Sequence, residues 1–106
     1  MPTVNTSGTL VADGTVQTVL DVTDNKYFTF KLDTSAMATS DVTTVIIYDK
    51  VLNGGAFAVY KTETYTDGQT EDLKFLAPLW ITEKIKVTMQ QTAGVNKNYA
   101  WALLEA

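Results

Sequence analysis

Apolar and polar residues alternate with period two along most of this 106-residue chain, the spacing that places successive side chains on opposite faces of an extended strand. Lys84 to Thr92 is the clearest case, with Ile85, Val87 and Met89 on one side and Lys84, Lys86, Thr88 and Gln90 on the other. Lys26 to Asp33 sets Phe28, Phe30 and Leu32 against Tyr27, Thr29 and Lys31, and near the end Tyr99, Trp101 and Leu103 alternate with Ala100, Ala102 and Leu104. Val42 to Val51 is β-branched and apolar on both faces, which predicts a central strand.

The punctuation between these runs is turn chemistry. Asp13-Gly14 suits the positive φ angles of a I′ hairpin turn, joining Thr9–Ala12 to Thr15–Val22, with Val16, Thr18, Leu20 and Val22 on one face. Asn53-Gly54-Gly55 predicts a long hairpin whose return, Ala56 to Thr66, sets Phe57, Val59 and Tyr65 opposite Tyr60, Thr62 and Thr64. Thr34 to Asp41 is small and polar, a loop with at most one helical turn and Met37 tucked inward. Leu73 to Ile81 is interrupted by Pro78, which cannot donate to a ladder, so the run lies at an edge or breaks there.

Eight short strands at this spacing predict an all-β fold: an antiparallel β-sandwich of about eight strands, with the jelly roll as one arrangement and a meander or small barrel as others. Residues 9–106 read as one domain, and residues 1–8, which lack periodicity, as an N-terminal arm.

Composition narrows the function classes. The chain has no histidine, cysteine or arginine, and so lacks the neutral-pH proton carrier, the readiest nucleophile and the bidentate clamp for phosphate. The remaining acid–base chemistry is carboxylate pairs, for which Asp21 with Asp24, Asp67 with Glu71 and Asp72, and Glu63 are candidates. All but Glu63 sit at turns, where aspartate has a backbone-bonding role of its own. Asp67 to Asp72 is also an acidic loop that calcium could use, although its spacing is not that of an EF-hand. We therefore expect a non-enzymatic protein without a cofactor. The net charge of −4, with lysines scattered from Lys26 to Lys97, speaks against nucleic acid and anionic membranes as partners. The start resembles no secretory signal, and no segment has the length of an apolar membrane span.

Aromatic residues are the other functional reserve. Phe28, Phe30, Phe57, Phe75 and Trp101 read as core, and Lys31, Lys84 and Lys86 as solvated guards on wet strand faces. Trp80 follows Pro78 in an edge segment, where a subunit commonly covers an apolar residue. Trp80, Pro78, Tyr65 and, in the arm, Val4 are the expected interaction residues. A carbohydrate-binding or adhesin-like sandwich, using Trp80 and Tyr65, is the alternative.

The segments Phe-Lys-Leu-Asp-Thr-Ser-Ala-Met-Ala-Thr-Ser-Asp (30–41), Val-Ile-Ile-Tyr-Asp-Lys-Val-Leu-Asn-Gly-Gly (45–55) and Lys-Val-Thr-Met-Gln-Gln-Thr-Ala-Gly (86–94) resemble small proteins encoded among virion genes of tailed phages and environmental viruses. The resemblance covers most of the chain but consists of strand and turn residues, so no binding residue is carried over from it. It implies a virion structural component, a capsid decoration or cement protein that is made in the host cytoplasm and resides in the virion. Its expected partners are the major capsid protein or another virion protein, and further copies of itself, as a trimer at the three-fold positions of a shell.

Overall fold

The computed structural model describes residues 3–24, 26–50, 55–81 and 84–105, with 77–80 as backbone. The alternating runs form eight strands: β1 (Thr3–Val11), β2 (Gln17–Thr23), β3 (Lys26–Asp33), β4 (Val42–Asp49), β5 (Ala58–Thr66), β6 (Leu73–Ile81), β7 (Lys84–Ala93) and β8 (Asn98–Glu105). They make two antiparallel four-stranded sheets, in the orders β1-β8-β3-β6 and β2-β7-β4-β5. The partners 1 with 8, 2 with 7, 3 with 6 and 4 with 5 are those of one long hairpin rolled up on itself, closed by β3 with β8 and β4 with β7. That is the jelly-roll order of a β-sandwich.

The inward faces meet in one core. Phe28, Phe30, Leu32, Tyr99 and Leu103 from the first sheet are fully buried against Val45, Ile47, Ile85, Val87 and Met89 from the second. Met37 tucks in from its loop as expected, and the shortest molecular dimension, 19 Å, fits two layers about 10 Å apart with their side chains.

Several local expectations change. Asp13-Gly14 is a turn, with Gly14 at φ +85°, but it is no I′ hairpin: β1 and β2 belong to different sheets, and the Thr15 amide donates to the Asp13 carboxylate instead. Residues 3–8, read as an arm, are the first part of β1 and pair with β8 as far as Thr3 with Glu105. In β2 an extra residue, Val19, splits the expected apolar face, so Leu20 is buried while Val16 and Thr18 are exposed. In β5 the extra residue is Tyr60, which leaves Val59 opposite Tyr48 and 58 % exposed while Tyr65 packs against the core. Period-two reading cannot anticipate these bulges, because each reverses the alternation from one residue to the next. Phe75, expected in the core, is 59 % exposed.

Candidate interaction surface

The two outward faces differ in character. That of β2-β7-β4-β5 is threonine-rich: Thr44 bonds Thr64 across β4 and β5 at 3.2 Å, Lys84 pairs with Asp21 at 3.1 Å, and the Lys86 ammonium lies over the Tyr48 ring. Although its edge strand β5 exposes Val59 and Tyr60, such a face is largely polar.

The outward face of β1-β8-β3-β6 is not. Its central strand β8 shows solvent only Ala100, Ala102 and Leu104 between the inward Tyr99, Trp101 and Leu103. Strand register lays residues across it in rows. One row runs Ser7, Ala102, Lys31, Phe75, and the next runs Thr9, Ala100, Asp33, Leu73, level with each other because Leu32 lies opposite Trp101. Beyond them stand Val4, level with Leu104, and Val11, level with Asn98. Val4, Val11, Leu73 and Phe75 are each at least half exposed. Lys31, Asp33, Leu73, Ala100, Trp101 and Ala102 line an open depression of 240 Å³ between the rows. Its floor is held by Trp101, whose indole stacks on Phe30 at 6.2 Å and needs the bare Gly8 opposite, where a Cβ would come within 3.2 Å of the ring.

Large exposed apolar residues gathered on one sheet face mark a surface that another molecule covers. The sheet edges, by contrast, are defended. Each of the four edge strands carries a bulge in its own chain: Asn5 in β1, Val19 in β2, Tyr60 in β5, and in β6 the pair Ala77–Pro78 sharing the place opposite Thr29. Pro78 thus sits at a bulge on an edge strand, as proline requires. On β5, Lys61 and Glu63 lie on the core side and pair with each other at 3.1 Å, another device against strand addition. Association by strand edges is therefore disfavoured relative to association by the face.

No known protein family, curated protein or solved structure matches this chain.

The expected interaction residues separate. Val4 joins the apolar face. Trp80 pairs through its backbone with Tyr27 at the far edge of the same sheet, and its side chain, like that of Pro78, lies outside the described residues. Tyr65 belongs to the other sheet, half-buried, with the Lys74 ammonium 5.3 Å from its ring centroid. Burial, aided by the Glu63 charge, pushes its phenol up to about 12. The carboxylates weighed as catalytic pairs are spread out: Asp21 and Asp24 lie at the end of the sandwich where β2 passes to β3, whereas Asp67, Glu71 and Asp72 lie at the opposite end, between β5 and β6. Among the described residues no three carboxylates gather around one point that a cation could occupy.

One polar cluster escaped the sequence reading. Asp41, 1 % exposed, accepts hydrogen bonds from the amides of Ala38 and Val95 and from the Lys97 ammonium, all at 3.0 Å, and ties the loops 34–41 and 94–97 together at one end. The Ala38 amide first, and then Lys97, hold its carboxyl below the ordinary carboxylate value. Beneath it the Tyr99 hydroxyl donates to Gln91 Oε1 at 3.0 Å and shares a hydrogen bond with Thr43 at 2.7 Å. Every group here has its partner, which suits a brace rather than a site. The only sequence signal was an aspartate closing a small-residue loop, indistinguishable from an ordinary turn.

Proposed function

We propose that this chain is a non-enzymatic structural protein of a virion, of the capsid decoration or cement kind, made in the host cytoplasm and acting as several copies bound to the major capsid protein or another shell component. The observation that carries the reading is the apolar outward face of β1-β8-β3-β6, a surface suited to protein contact and presented on a scaffold whose edges are blunted. The sequence resemblance to virion-encoded proteins supplies the setting, and jelly rolls recur among shell proteins, although fold alone does not assign function.

The carbohydrate-binding alternative is less well supported. A sugar stacks on an open ring face, and the rings of Tyr48, Phe57, Tyr65 and Phe75 each have a lysine ammonium within 4.9–5.6 Å of the centroid on one side. Co-sedimentation of the purified protein with particles lacking it is the test. Saturable binding to the particles, with no retention on a glycan array with or without calcium, is the expected result; glycan retention without particle binding would overturn it.

A further inference from the structure

We propose that the occupant of the apolar face is a second copy of this chain, packed sheet on sheet about a twofold axis that runs between the two layers, across the strands and level with Leu32. The inference rests on the reading of this face as a protein contact and names its partner.

The register carries the argument. A twofold axis in that position reverses the strand direction, so that the row Ser7, Ala102, Lys31, Phe75 of one copy lies over the row Thr9, Ala100, Asp33, Leu73 of the other. Each column then matches in kind. Hydroxyl meets hydroxyl at Ser7 and the partner's Thr9, and methyl meets methyl at Ala102 and the partner's Ala100. Phe75 stands over the partner's Leu73, beside the depression that Leu73 helps to line. Lys31 meets the partner's Asp33, and the symmetry makes that pair twice. Further out, Val4 comes level with the partner's Val11. An isologous interface must be self-complementary, and these two rows are complementary to each other.

Charge points the same way. The chain carries 12 acidic and 8 basic residues, so two copies repel on average, yet these two rows hold one lysine and one aspartate and are neutral. The Lys31 ammonium rests over the Phe75 ring at 5.5 Å and makes no ion pair among the described residues, which leaves it available to a facing carboxylate. Alanines down the centre let two β8 strands approach closely, and the bulged edges steer association to the face.

Area sets the strength. Four strands about 4.8 Å apart and eight residues long at about 3.3 Å each cover on the order of 500 Å². Two copies then bury about 1,000 Å², the lower end of specific interfaces, so the pair is reversible, with a dissociation constant in the micromolar to sub-millimolar range.

Sedimentation equilibrium of the full chain over a range of concentrations reads this directly. The expected result is a monomer–dimer equilibrium. Ala102→Glu, which sets a carboxylate against the partner's Ala100, weakens it by about ten-fold or more, while Thr62→Glu on the other sheet leaves it unchanged. Lys31→Asp and Asp33→Lys each weaken it, and the double exchange restores it to within about three-fold of the original, because like charges face each other in the single variants and opposite charges again in the double. The restored pairing also shows that the single variants failed by charge and not by misfolding. A chain that stays monomeric up to about 1 mM, a trimer, or a dimer indifferent to Ala102→Glu would overturn the proposal. Particle binding is scored separately: a monomer that decorates particles overturns the pairing alone, and a dimer that binds no particle overturns the virion reading alone.

Discussion

Gly94 and Asp41 are packed so closely that a Cβ on Gly94 would overlap Asp41 Oδ1 and lie 2.7 Å from the Asp41 Cα. Gly94 also has φ +86°, where a side chain is strained whatever the space. Gly94→Ala therefore displaces the brace that joins the loops 34–41 and 94–97, and we expect it to lower unfolding free energy by on the order of 2 kcal/mol or more in a denaturant titration. Gly14, at φ +85° with open space around it, is the control: Gly14→Ala costs about 1 kcal/mol from backbone strain alone.

Acid stability follows from the same carboxylate. The folded-state pKa of Asp41 lies below its unfolded value, so its contribution is complete above the unfolded value and is lost as pH falls through the folded one. Stability of the native chain should decline from about pH 5 downward, and Asp41→Asn should be less stable at neutral pH and decline less steeply, as read by denaturant midpoints against pH. An equally steep acid limb in Asp41→Asn would assign the decline to other carboxylates, of which Asp33 and Glu105 are also lowered.

Tyr65 governs the alkaline side. Its pKa is raised to about 12, above the ordinary 10.0, so the stability it contributes is present below pH 10 and is lost as pH rises through 12. Ultraviolet phenolate titration should show a late-ionising tyrosine that disappears in Tyr65→Phe, leaving the buried Tyr99, which is also raised, as the remaining group that ionises late.

Core and face can be separated by truncation. Phe28 is fully buried, and Phe28→Ala should cost about 3–5 kcal/mol. Phe75 is 59 % exposed, and Phe75→Ala should cost under about 1 kcal/mol in dilute solution, where no partner covers it. Equal losses would place Phe75 in the core after all.

The sequence made the architecture legible because burial imposes period two: β3, β7 and β8 stand where Phe28 to Leu32, Ile85 to Met89 and Tyr99 to Leu103 announce them. It could not reveal sheet membership, since Asp13-Gly14 looks alike in a hairpin and in a crossover between sheets. Nor could it reveal the bulges at Val19 and Tyr60, because an inserted residue leaves no mark in composition. The candidate face was hidden for a related reason. Ala100 and Ala102 read as filler between buried aromatics, and only register across four strands shows them level with Lys31, Asp33, Leu73 and Phe75.

Radical footprinting tests most directly whether the β1-β8-β3-β6 face is the covered one. Side-chain labelling of the protein bound to particles, compared with dilute free protein, should show Leu73 and Phe75 protected several-fold while Val59 and Tyr60 on the other sheet keep their reactivity. Protection of Val59 and Tyr60 with Leu73 and Phe75 still fully reactive would contradict the account.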